Sequence, residues 1–174
     1  MKTNSRKLTL AGIFVAISVV GSFFQVPVFG SKCAPIQHLM NIMGAVFLGP
    51  GYAVGAAFAS SLIRNLLGLG TLLAFPGSMC GALLSGLLYH YFKKLPLAYV
   101  GEVFGTGIIG GLLAYPVAAF ILGNEVAAYA FVIPFLISTC GGTLIAVVLV
   151  TALKKTGVID RLLEENETSG TTRA

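Results

Sequence analysis

Gln37, His38 and Asn41 place three hydrogen-bonding heads within five residues of an otherwise apolar stretch. Gln37 and Asn41 are four residues apart and His38 and Asn41 three, so a helix carries all three on one face. Further along, Arg64-Asn65 follows Ser60-Ser61 by one turn, Ser78 closes the sequence Phe75-Pro-Gly-Ser, and Tyr115 precedes Pro116. Amides, an imidazole, a hydroxyl and two aromatic rings are the parts of a small-molecule pocket: polar heads fix orientation and rings form the walls. The catalytic alternative pairs Ser78 as nucleophile with His38 as base. No second sign of catalysis accompanies it. There is no carboxylate pair and no H-E-x-x-H, so metal chemistry has no ligand set, and no G-x-x-x-x-G-K-[ST] loop supplies an ATPase. Cys33, Cys80 and Cys140 are scattered without a C-x-x-C and read as small apolar residues. The reading is of a binding protein with no catalytic residue, no metal and no cofactor of its own.

The elements that must carry these residues follow from charge. The chain has 174 residues, 56% hydrophobic and 10% charged, against about 25% charged for a soluble domain. The runs 8–31, 33–63, 65–92, 103–124 and 126–153 hold no Asp, Glu, Lys or Arg. Each exceeds the roughly 18 residues that mark a membrane-crossing helix. An all-α integral membrane protein is expected, and a soluble enzyme is excluded. Breaks at Lys32, Gly49-Pro-Gly51, 67–74, Lys93-Lys-Leu-Pro96 and Gly123-Asn-Glu125 divide the chain into helices over 8–29, 35–48, 51–66, 74–92, 97–122 and 127–153. The first apolar run lacks a small-x-small cleavage site and reads as an uncleaved helix. The second helix is short and is expected to enter from a loop dipping into the membrane. Six crossings put both termini on one side, which collects nine bases (Lys2, Arg6, Lys7, Lys93, Lys94, Lys154, Lys155, Arg161 and Arg173) against Lys32 and Arg64 on the other. The positive-inside rule makes the nine-base side cytoplasmic. The layout is a cytoplasmic segment 1–7, a six-helix bundle 8–153 and a cytoplasmic tail 154–174. The bases flank apolar runs, which is the pattern of a lipid bilayer protein and not a nucleic-acid footprint.

On this topology the polar side chains gather in the outer half of the bundle, as a pocket open to the exterior requires. Two structural readings stand beside it. Gln37, His38 and Asn41 can simply hold helices together, and Arg64 can reach to the outer interface. Glu102 reads as an acid near the start of the fifth helix, complementing its dipole, and His90 as an interfacial residue. Gly105-Thr-Gly-Ile-Ile-Gly110 matches a dinucleotide fingerprint, but no strand precedes it. With Gly101 and Gly111 it gives small-residue spacings for close helix packing. Gly12 and Ala16 form a similar small face on the first helix, suited to internal packing or to docking another membrane protein.

The stretch Lys32-Cys-Ala-Pro-Ile-Gln-His-Leu-Met-Asn41, followed by Phe47-Leu-Gly-Pro-Gly-Tyr-Ala53, resembles the substrate-binding (S) components of energy-coupling factor vitamin transporters. Ser61-Leu-Ile-Arg-Asn65 and Leu73-Ala-Phe-Pro-Gly-Ser-Met79 narrow the resemblance to the thiazole-specific ThiW type. The resemblance is densest over 32–92. Gly68-Leu-Gly-Thr71 departs from the Gly-Thr-Gly-Ser of that pattern, at a loop expected to line the pocket mouth. The resemblance implies a multi-pass subunit in a prokaryotic cell membrane that captures hydroxyethylthiazole, a thiamin precursor. A transmembrane coupling protein and two cytoplasmic ATPases would supply energy, with Gly12 and Ala16 facing the coupling protein. Phe75 and Tyr115 would sandwich the ring, Gln37, His38 or Asn41 would meet its polar atoms, and Arg64-Asn65 would close the mouth. The alternatives are an S component for another small vitamin or precursor, anionic ones included, and an intramembrane enzyme.

Overall fold

The computed structural model describes residues 2–28, 31–123, 125 and 127–157. Among them six helical rods follow in order. Four are α1 (Lys2–Gly21), α2 (Pro35–Leu48), α3 (Pro50–Leu66) and α4 (Ala74–Phe92). The fifth, Leu95–Ile121, joins α5 (Leu95–Glu102), a π-helical stretch Val103–Gly110, α6 (Gly111–Pro116) and a second π stretch Val117–Ile121. The last is α7 (Val132–Lys155). Prolines open α2, α3 and α5, where a missing amide hydrogen costs nothing. Gly49, at φ 85°, reverses the chain between α2 and α3 in a conformation that a side chain would resist.

The first helix ends earlier than the apolar run does. After Gly21 comes a single 3-10 turn, Ser22–Phe24, and then a hairpin of β1 (Val26–Val28) and β2 (Ser31–Cys33), with Pro27 opposite Lys32. Pro27 has no amide hydrogen for a helix interior, and a short edge strand tolerates it. The hairpin supplies the entry to α2, and among the described residues the protein is all-α except for these two strands.

Every residue of α2 from Gln37 to Leu48 is buried. The helix is the centre of the bundle, packed by α1, α3, α4 and α7. Where α2, α3 and α4 meet, Ala45, Ala53, Ala57 and Ala82 replace larger side chains. Polarity is inverted relative to a water-soluble domain. Phe24 and Phe120 are 75% and 84% exposed, whereas Gln37, His38, Asn41, Arg64 and Glu102 are buried. Such a surface suits hydrocarbon, and buried polar groups in that setting must be satisfied from within. Ser5–Phe24, Leu95–Ile121 and Val132–Lys155 are long and apolar enough to cross a membrane. The fold is that of an all-α membrane protein. Asn124, in the last break, and the tail 158–174, with Arg161 and Arg173, lie outside the described residues.

Candidate functional site

α2 delivers Gln37, His38 and Asn41 to one end of the bundle, where they meet α3, α4, α5, the first π stretch and α7. The organising group is Glu102, the last residue of α5, which is 0% exposed. Its Oε1 lies 2.9 Å from His38 Nδ1, 3.0 Å from Asn41 Nδ2 and 3.0 Å from Thr106 Oγ1. Asn41 Nδ2 also donates to the Ser78 carbonyl at 3.3 Å, and Thr106 Oγ1 to the Gly77 carbonyl at 3.1 Å. The other face of the imidazole is held too, with His38 Nε2 2.9 Å from Ser138 Oγ, which accepts the Ala34 amide hydrogen at 3.1 Å. Glu102 therefore does not serve the helix dipole. It sits two turns into its rod and ties α2 to the π stretch that begins at the next residue.

This junction needs close backbones. A Cβ placed on Gly81 would collide with Thr106 Oγ1 and with the Glu102 carboxyl group, and one on Gly105 would stand 2.6 Å from the Cys80 carbonyl oxygen. The glycines that imitate a dinucleotide fingerprint thus let the fifth rod lie against α4, as small residues do between membrane helices. A second chain of bonds joins α2, α3 and α4. Gln37 Nε2 donates to Ser61 Oγ at 3.2 Å, and the Ser61 and Ser78 hydroxyls are 2.9 Å apart.

Beside these networks lies a small cavity of about 40 Å³. Gln37, His38, Arg64, Ser78, Thr106 and Ser138 give it polar groups, Lys32 stands on its rim strand, and Ala34, Ala74 and Phe135 supply apolar wall. Between α3 and α4 a loop is folded onto Arg64, whose carbonyl accepts the Leu69 and Gly70 amides at 2.8 and 3.0 Å. Asn65 Nδ2 pins the same loop through the Thr71 carbonyl at 3.0 Å, and Gln25 Nε2 reaches from the hairpin to the Leu69 carbonyl at 2.8 Å.

Of the residues singled out from the sequence, Gln37, His38, Arg64 and Ser78 line the cavity together. Asn41 lies behind them on Glu102, and Asn65 shapes the loop. Phe75 packs on Phe58 with ring centroids 5.5 Å apart, and both Phe75 and Tyr115 stand outside the lining. Phe135 provides the aromatic wall in their place, and the sequence holds a sign of it: it precedes Ser138 by three residues, so both share a face of α7. Ser78 is not the serine that meets His38, because that place belongs to Ser138. Gly12 and Ala16 are exposed on α1, and Gly12 lines an apolar groove between α1 and α3 far from this cluster in the chain.

A family model described as thiamine-precursor transporter protein (ThiW) matches residues 8–156. No curated protein and no solved structure matches the chain.

Proposed function

The chain belongs to the ThiW family of thiamine-precursor transporters, and from that premise we propose that it is the substrate-capture subunit of an energy-coupling factor uptake system, taking hydroxyethylthiazole from outside the cell. The observation that carries the reading is the cavity at the hairpin end of the bundle, where an aromatic and aliphatic wall faces polar groups already fixed in place. A thiazole ring needs a flat apolar slot, supplied by Phe135, Ala34 and Ala74. Its nitrogen and hydroxyl need partners that stay put when the site is empty, and Gln37 and Ser78 are held by Ser61. Preorganised groups of this kind spend little entropy on binding.

In this reading the bundle makes six crossings with both termini in the cytoplasm, the orientation drawn from the basic residues, and the cavity opens toward the exterior. The groove lined by Gly12, with Ala16 one turn on along α1, faces a transmembrane coupling protein, and two partner ATPases provide the energy that this chain has no phosphate loop to supply. The test is calorimetric titration of the purified full chain in detergent with hydroxyethylthiazole, thiamin and a thiamin pyrimidine precursor. One-to-one binding of the thiazole alone is expected. Absence of heat with the thiazole, from protein with an intact melting transition, overturns the assignment.

A second reading rests on one feature. Ser138, His38 and Glu102 stand in the order of nucleophile, base and orienting acid, the arrangement of acyl-transfer enzymes. Membership of a transporter family weighs against it, and so does the Ala34 amide hydrogen bonded to the Ser138 oxygen. Ester turnover by purified protein that disappears in Ser138→Ala would establish it.

A further inference from the structure

Hydroxyethylthiazole is neutral, yet the cavity lined by Phe135 and Gln37 is also lined by two cations, Arg64 and Lys32. Arg64 comes from the last turn of α3 and is 2% exposed. Its Nε and Nη1 have no hydrogen-bond partner among the described residues. An arginine that merely reaches out of the membrane leaves its head in water, and this head is enclosed. Neither does a carboxylate of the cluster serve it. Glu102 is not among the lining residues; its Oε1 is taken by His38, Asn41 and Thr106, and its Oε2, also without a hydrogen-bond partner among the described residues, makes no bond to Arg64. The backbone of Arg64 is committed to the overlying loop through Leu69 and Gly70, so the residue is held in position while its guanidinium remains unspent.

We propose that the preferred ligand of this site carries an anionic oxygen group on the thiazole, a phosphate ester or a carboxylate, bound by Arg64 with Lys32 at the rim. The proposal rests on the reading of the cavity as a thiazole site and names the ligand's charge class. A buried guanidinium without a counter-charge is strongly disfavoured in a membrane interior. One hydroxyl oxygen satisfies one donor and no charge. A phosphate or carboxylate offers several acceptors and the missing charge, and matches the planar fork of arginine. With His38, Asn41 and Thr106 tied to Glu102, and Ser138 tied to His38, Arg64 is a buried lining residue that keeps unpartnered donors for a ligand.

The experiment is calorimetric titration of the full chain with hydroxyethylthiazole, its phosphate monoester and a thiazole carboxylate, each with wild type, Arg64→Gln, Arg64→Lys and Lys32→Gln. In wild type the anionic ligands are expected to bind about tenfold or more tightly than the alcohol. That ratio should fall to about one in Arg64→Gln, as the charge-assisted bonds are lost, and recover in part in Arg64→Lys. Lys32→Gln should reduce it least, because an exposed rim charge is screened by solvent. Binding of the alcohol as tightly as both anions in wild type overturns the charge class and leaves the thiazole assignment standing, a result that needs no variant to fold. A wild-type preference that survives in Arg64→Gln overturns the role of Arg64. Binding by none of the three removes the thiazole assignment and this proposal with it.

Discussion

α2 passes through two regions that are equally buried and differently built. Its first half carries Gln37, His38 and Asn41 into a hydrogen-bonded network around Glu102 and Ser61. Its second half carries Ile42, Met43, Val46, Phe47 and Leu48 into a cluster with Tyr89, Ala98, Ala146 and Val150. Contacts in the apolar half are numerous, weak and without direction, so each side chain contributes by filling space. In the polar half each group depends on a named partner, and removing one leaves others unpaired in a medium without water. Stability and ligand binding should therefore be coupled in the polar half and separate in the apolar half.

The largest effect should come from closing the gap that lets the fifth rod approach α4. Gly81→Val drives a side chain into Thr106 and Glu102, and is expected to abolish both the melting transition and ligand binding, read by thermal denaturation and calorimetry. Glu102→Ala removes the acceptor shared by His38, Asn41 and Thr106 and should cost about 3–5 kcal/mol in stability while weakening the ligand. Glu102→Gln, which keeps one acceptor oxygen, should recover part of both. On the apolar side, Ile42→Ala removes a fully buried side chain and should cost about 2–5 kcal/mol with ligand affinity unchanged. Equal loss of affinity in Ile42→Ala and Glu102→Ala would erase the distinction between the halves. Ser61→Ala breaks the bonds to Gln37 and Ser78, and about 1 kcal/mol of stability with a modest loss of affinity should follow. The smallest change in the isolated protein belongs to Gly12→Leu. A Cβ there meets nothing within 4 Å, so melting and binding should stay put, while uptake by cells carrying the complete transporter should fall if this face meets a coupling protein.

Helix positions were legible because proline, glycine and charge interrupt apolar runs where the rods end. The expected 35–48 and 74–92 agree with α2 and α4 as observed. The end of α1 was not, since the apolar run continues through a segment that forms a hairpin, and hydropathy does not separate a strand from a helix over so few residues. Gln37, His38 and Asn41 could be placed on one face from spacing alone. Glu102 was misread because its place near the start of the fifth helix suited a helix-dipole role, whereas two of its partners, Asn41 and His38, are 61 and 64 residues away.

Composition alone settles that this is a membrane protein of apolar helices, since a chain so poor in charge cannot face water and must satisfy its backbone within helices. Local spacing settles which residues share a helix face. Which serine meets His38, that Phe135 forms the wall where Phe75 and Tyr115 do not, and that the Arg64 head is enclosed were decided only by how the helices pack. Those facts depend on rotation and approach of one helix against another, set jointly by glycine contacts and distant hydrogen bonds, and no local stretch of sequence contains them.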